Sequence, residues 1–271
     1  MKTLPDEVRD TPVIRDSWGE LRRFTDARLA LGRSGASLPT REVLAFDLAH
    51  AQARDAVHLP LDAAALIASL NADGWPVLQA HSRASERSAY LARPDWGRRL
   101  AAESAVLLAD LADKFAREIN VGIDIVIVIG DGLSSTAVQR HAASLLAELS
   151  PLLAAFALAP IVVATQARVA LADEIGELFG ARLTICIIGE RPGLSAADSL
   201  GAYLTHAPKI GRNDGERNCI SNIRPAGLPL RTAAIEIAEL AHAILDKKLS
   251  GVALRFDPND HSLTQSSAPA G

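Results

Sequence analysis

The sequence predicts an α/β fold, a helical N-terminal region followed by a doubly wound, mainly parallel sheet with Rossmann-like layering. Three observations lead there. The run Ile123-Asp124-Ile125-Val126-Ile127-Val128-Ile129 is nearly continuous and β-branched, as in a strand covered on both faces. Strand, loop and helix patterns then alternate three times, which calls for right-handed βαβ crossovers. Before residue 120, apolar residues recur at helical spacing between polar breaks. The expected organisation is a helical region over residues 1–119, an α/β unit over 120–256, and a disordered tail rich in Ser, Pro, Asn and Ala over 257–271.

Each element has its own warrant. Residues 18–31 place Leu21, Phe24 and Leu31 near one helical face, until Gly32 and Gly35 stop the helix. Thr40 is the expected N-cap of a second helix striped by Leu44, Leu48 and Ala51. A short helix over residues 61–70 ends near Asn71-Ala72-Asp73-Gly74. The charged stretch from His81 to Arg99 reads as a solvated face or as a surface for an anion or acidic partner. A fourth helix, about residues 98–118, carries Leu108, Leu111, Ala112 and Phe115 at i, i+3, i+4 and i+7. After the first strand, Ser134 caps a helix running to about residue 149. A second strand over 160–164 leads to a helix over 172–179 with Gly180 at its C′ position. A third strand, 183–188, breaks at Gly189-Glu190-Arg191-Pro192-Gly193, and Ser195-Ala196-Ala197-Asp198 has the form of a capping box opening another helix. Tyr203-Leu204-Thr205 suggests a short strand. Cys219 falls in polar sequence read as a loop, and the last helix carries Ile237, Leu240, Ala241, Ile244 and Leu245.

Composition excludes several function classes. With 28 Lys+Arg against 32 Asp+Glu, the 271-residue chain has no bulk basic field for nucleic acid. Two Cys make neither a disulfide framework nor a CxxC cluster, and the seven His form no ligand pair such as HxxxH. The most apolar stretch, residues 152–165, is too short for a bilayer and is interrupted by Pro160. The first residues lack the apolar core of a secretory signal, so a cytosolic-type protein with reduced thiols is expected.

In doubly wound sheets, ligands bind at the carboxyl ends of strands. Three segments qualify here: residues 130–135, 165–169 and 189–193. Gly130-Asp131-Gly132 lacks the full GxGxxG pattern, since Ser135 stands at the sixth position, and reads as a tight turn or a ligand contact. Glu190-Arg191 is either a self-paired surface ion pair or a pair of side chains oriented at the sheet's end by Pro192 and Gly193. Cys186, inside a strand, reads as a small core residue, whereas Cys219 reads as nucleophile, contact residue or inert thiol. No complete catalytic constellation emerges.

Several ordered segments carry a resemblance. They are Tyr90-Leu91-Ala92-Arg93-Pro94-Asp95-Trp96-Gly97-Arg98-Arg99-Leu100, Asp131-Gly132-Leu133-Ser134, residues 168–177, Gly189-Glu190-Arg191-Pro192-Gly193-Leu194, Arg217-Asn218-Cys219-Ile220-Ser221-Asn222-Ile223 and Leu249-Ser250-Gly251-Val252. Over about residues 21–254 the chain resembles the small (light) subunits of ethanolamine ammonia-lyase. The resemblance implies a hetero-oligomer with a large subunit, a (β/α)₈ barrel that converts ethanolamine to acetaldehyde and ammonia by radical rearrangement. It implies adenosylcobalamin lying between the subunits. The cofactor is expected base-on, since the chain lacks the DxHxxG motif with which other cobalamin enzymes replace the lower base. The family's cobalamin contacts fall on positions matching Val169, Glu190 and Cys219, with neither a catalytic residue nor a metal ligand carried by this chain. The implied setting is the cytoplasm. A bacterial microcompartment is the setting of relatives with a longer N-terminal leader, for which the sequence before Trp18 leaves little room. The alternative reading is a stand-alone α/β transferase that binds a nucleotide or sugar phosphate at the same strand ends. A third is an interaction protein without cofactor contact.

Overall fold

A computed structural model describes residues 13–255, so the expected tail over 257–271 lies outside the described residues. A 3₁₀ turn, Ser17–Arg23, opens the chain and is followed by the helices α1 (Thr40–His58) and α2 (Ala63–Ala72). Strand β1 (Val77–His81) then leads through α3 (Arg87–Ala92) to α4 (Ala102–Ile119). The alternating part comprises β2 (Ile125–Gly130), α5 (Ser135–Leu149), β3 (Ile161–Thr165), α6 (Val169–Leu178) and β4 (Leu183–Gly189). Strands β5 (Leu200–His206) and β6 (Arg217–Ile223), then α7 (Leu230–Lys247) and the short α8 (Val252–Arg255), complete it. No helix among the described residues is long and apolar enough to cross a membrane.

The six strands lie in the order β1-β3-β2-β4-β5-β6. The first four are mutually parallel, while β5 and β6 add antiparallel. Alternation along the strands feeds two cores. Ile125, Ile127 and Ile129 of β2, with Leu183, Ile185 and Ile187 of β4, pack against α2, α5 and α7. Val126 and Val128, with Cys186 and Ile188, pack on the other face against α4 and α6. The winding follows handedness: the leftward step from β2 to β3 runs through α5 on one face, and the rightward step from β3 to β4 runs through α6 on the other. Loops leaving the carboxyl ends of neighbouring β2 and β3 therefore diverge to opposite faces, which opens a crevice there.

Several expectations need correction. Strand β1 sits inside the segment expected to be helical and pairs with β3 from Val77↔Ile161 to His81↔Thr165, so the sheet draws on residues before 120. Residues 24–31 are not helical; the 3₁₀ turn buries none of its side chains and has no core to fold against. Thr40 is the first residue of α1 rather than its cap, a place taken by Pro39, which offers no side-chain acceptor. Helix α6 begins at Val169, three positions ahead of the expected start, because Arg168 is already extended and anchored through its N–H to the Gly97 carbonyl at 2.8 Å. No helix follows Ser195. Asp198 is drawn away to His141 and Arg140 of α5, at 3.3 and 3.2 Å. Other readings hold: Ser134 caps α5 by accepting from the Ala137 N–H at 3.2 Å, and Gly180 takes φ +59° after α6.

Candidate functional site at the strand ends

The loop after β2 is built from backbone contacts that side chains would forbid. Gly132 has φ +59°, and a Cβ there would lie 2.1 Å from the Gly189 carbonyl oxygen. A Cβ on Gly189 would in turn meet the Ser134 oxygen at 2.0 Å. The Leu133 N–H donates to the same Gly189 oxygen at 2.9 Å. The glycines thus let the β2 and β4 ends touch main chain to main chain.

Asp131 joins this corner to β3. Its buried carboxylate accepts from the Gln166 N–H at 2.9 Å and the Ala167 N–H at 2.8 Å. Gln166 stands in the left-handed region at φ +54°, so the carboxylate fixes a strained turn. Burial pushes the Asp131 carboxyl above its ordinary range, against the opposing pull of those N–H donors and of Arg87, 3.5 Å away. Arg87 also donates to the Gly132 and Val57 carbonyls at 2.8 and 2.6 Å.

The excursion between β1 and α4 closes a third side. Ser82 and Leu100 bridge its neck, and Tyr90 is fully buried between the guanidinium groups of Arg87 and Arg168, 4.6 and 4.5 Å from its ring. Burial is the main cause that pushes the Tyr90 phenol up to about 12. A Cβ on Gly97 would stand 3.0 Å from both Tyr90 and Arg168, so the excursion packs directly on the start of α6. Arg99 and the Leu100 N–H grip Glu174 of α6, each at 2.9 Å. In the stretch expected to be a solvated face, Arg87 and Arg99 are therefore structural clamps, while Arg93 does pair with Asp95 on the surface.

These three sides, with β5, enclose an open cleft of about 500 Å³. Its wall is mixed: Leu133, Val169, Ala170 and Ile188 give apolar surface, Tyr90 and Tyr203 give rings, and Arg98, Arg168, Arg191, Glu190 and Asp214 give charge. Among the sequence candidates, Val169 and Glu190 both line it. Glu190 does not pair with Arg191. Its Oε2 accepts from the Ser199 hydroxyl at 2.8 Å and the Asn222 N–H at 3.1 Å. Its Oε1 takes no hydrogen bond among the described residues and lies 3.0 Å from where a Cβ on Gly201 would stand. The carboxylate is thus held by one oxygen, and the other has no donor among the described residues.

Cys219 lies not in a loop but on β6, exposed, and outside the lining of the cleft. The register places Cys186, Tyr203 and Cys219 side by side across β4, β5 and β6, so Cys219 neighbours a cleft residue. Burial first, and the adjoining Cys219 next, push the Tyr203 phenol well above its ordinary range. Cys186 is buried, and desolvation raises its thiol likewise, as for an inert core residue. The polar sequence around Cys219 supports a strand because its side chains are used. Asn218 accepts from the Gly251 N–H at 2.6 Å, and Ser250 donates to the Glu216 carbonyl at 2.6 Å. Arg217, also buried, pairs with Asp173 of α6 and ties the edge strand to the helix.

Sequence reasoning assigned no individual role to Tyr90, Arg168 or Tyr203, although Tyr90 and Arg168 lie within the segments that carry the resemblance, and it read Arg87 only as part of the charged stretch. Ordinary periodicity could not reveal them, because their contacts join segments far apart in sequence. No group of three or more His, Cys, Asp or Glu side chains able to hold a metal ion occurs among the described residues.

Comparison with known proteins places these features in a family. Residues 15–255 match the family model described as ethanolamine ammonia-lyase light chain (EutC). The chain is 52% identical over 256 residues to a protein of Ralstonia nicotianae named ethanolamine ammonia-lyase small subunit, with 93% of each chain covered. A protein of that name from Azotobacter vinelandii is 53% identical over 90% of each chain. Another, from Bradyrhizobium diazoefficiens, is 52% identical over 94% of this chain and 96% of its own.

Proposed function

Because the chain belongs to the ethanolamine ammonia-lyase light chain family, we propose that it is the small subunit of an adenosylcobalamin-dependent ethanolamine ammonia-lyase, laying its strand-end cleft against the cofactor at the interface with the large subunit. The name borne by its relatives supplies the lyase complex and the large-subunit partner. The cofactor contact is argued from the cleft.

The observation that carries the reading is Glu190, a carboxylate that lines a partly apolar cleft and is fixed through one oxygen by Ser199 and Asn222. A corrinoid is an apolar macrocycle rimmed by neutral amide side chains, so it needs apolar contact with a few fixed hydrogen-bond acceptors. Val169, Ala170, Leu133 and Ile188 supply the first, and Glu190 supplies the second. The cleft is smaller than a corrinoid and open, which suits a subunit that covers one side while a partner covers the rest. When bound, the cofactor supplies the radical chemistry; this chain's residues bind, orient and exclude water. Cys219, beside Tyr203 at the cleft's edge, has the role of a packing contact.

The transferase alternative fares worse at the β2 loop. Asp131 occupies that loop with a carboxylate, and it takes up the Gln166 and Ala167 N–H groups that a phosphate would need at the neighbouring loop after β3.

The test is equilibrium dialysis of cyanocobalamin against the complex co-expressed with its large subunit. Glu190→Ala should weaken binding by about tenfold, the cost of one hydrogen bond to a charged acceptor. Unchanged affinity in an intact complex would contradict the assignment.

A further inference from the structure

We propose that Arg98, Arg168 and Arg191 bind a phosphodiester, that of the nucleotide tail of cobalamin, at the mouth of α6. The proposal rests on the cofactor reading above and names what the basic part of the cleft is for.

All three guanidinium groups line the cleft, and among the described residues none lies within ion-pair distance of a carboxylate. The cleft's two acids, Glu190 and Asp214, pair with none of the three. Glu190 holds Ser199 and Asn222, and Asp214 pairs with Arg217 at 2.8 Å. Arg168 is fixed by stacking on Tyr90 and by donating from Nη2 to the Tyr90 carbonyl at 3.2 Å, yet its Nε is buried with no partner. A buried donor without a partner costs on the order of 1–3 kcal/mol. Arg98 and Arg191 are exposed.

Helix α6, ten residues long, adds to the same field. Arg168 stands at its N-cap without a side-chain cap, and its first residues, Val169 and Ala170, face the cleft. The positive end of the helix and three arginines without an ion-pair partner therefore line one cleft. The amide side chains of a corrinoid are neutral and explain none of this charge. Among the cofactor's side groups the formal anion is the phosphodiester, whose two non-bridging oxygens match the forked donors of arginine.

The experiment compares cyanocobalamin with dicyanocobinamide, which lacks the nucleotide tail and its phosphate, by equilibrium dialysis against the complex with the large subunit. Because Arg168 also supports Tyr90, the variant used is the exposed pair Arg98→Gln with Arg191→Gln. The wild-type complex should prefer cobalamin. The double variant should lose about tenfold in cobalamin affinity and retain its cobinamide affinity. Added salt should weaken cobalamin binding in the wild type more than in the variant. Equal losses for both ligands, or no loss for either, would overturn the proposal. Inorganic phosphate bound by a wild-type complex that does not distinguish the two corrinoids would assign the arginines to a free phosphate and overturn it as well. A wild-type complex that binds neither corrinoid would instead refute the cofactor reading on which it rests.

Discussion

Asp131 sets the corner of the site. One carboxylate satisfies two loop N–H groups and faces Arg87, so its removal leaves a left-handed turn and a mostly buried guanidinium without their partner. Asp131→Ala should cost about 3 kcal/mol in a denaturant titration, as expected when one member of a buried pair is deleted. The raised carboxyl pKa shows that holding this charge is itself a cost to the fold. For an acid shifted upward, that contribution favours the native state below the unfolded pKa and is lost as pH rises through the folded value. The chain accepts that cost in exchange for a fixed turn. The phenols give a second check. The protein has two tyrosines, and both are shifted upward, Tyr90 to about 12, chiefly by burial. Their stabilising contribution is whole below about pH 10 and falls as pH rises through the folded values. Absorbance at 295 nm on the folded chain should therefore show no tyrosine ionising near pH 10. A normal phenolic step there would contradict the upward shift of one or both tyrosines. At this scale the sequence pointed at Val169 and Glu190 through the strand-end argument and the resemblance together. It could not show that Glu190 turns to Ser199 and Asn222 rather than to Arg191, because those partners arrive from β5 and β6.

Among elements, the strands covered on both faces were the easiest to read. β2, β3 and β4 announce themselves through continuous β-branched runs, whereas their order, β3-β2-β4, is set by pairings between distant segments. β1 escaped because Val77-Leu78-Gln79-Ala80-His81 is short, mixed in polarity and preceded by Gly74 and Pro76, so only its pairing with β3 makes it a strand. The helix expected after Ser195 failed for the opposite reason: its local cap pattern is sound, but Asp198 finds stronger partners on α5. Local propensity lost to tertiary contact in both cases. The junction of β2 with β4 yields a prediction. Gly132→Ala places a Cβ against the Gly189 carbonyl in a left-handed residue, and should destabilise the fold by about 2–4 kcal/mol, measured as a shift in the denaturation midpoint. Gly35→Ala, at φ +61° with open space around its Cβ position, should cost only about 1 kcal/mol.

The molecule as a whole is unevenly finished. Its sheet is sealed by two cores, yet the N-terminal layer leaves large apolar side chains in solvent: Trp18 is 66% exposed, Phe24 74%, Leu44 62% and Leu48 60%. Helix α1 runs for 19 residues and buries only Ala49 and Ala56. Apolar surface of that extent favours association. The chain expressed alone should show concentration-dependent self-association by light scattering, and co-expression with the large subunit should replace it with a complex of defined mass. The same incompleteness appears in the cleft, which is open and holds a fixed acceptor and cations that the chain does not itself satisfy. Composition hinted at this by excluding a metal cluster and a nucleic-acid surface while offering no catalytic set of its own.

The central claim is a division of labour, with cofactor contact on this chain and the chemistry on its partner. Acetaldehyde formation from ethanolamine tests it most directly, measured with adenosylcobalamin on each chain alone and on the two co-expressed. The account predicts activity in the complex, dependent on added cofactor, none from this chain alone, and a higher cofactor requirement in the Glu190→Ala complex. Acetaldehyde produced by this chain alone, or a Glu190→Ala complex with an unchanged cofactor requirement, would contradict it.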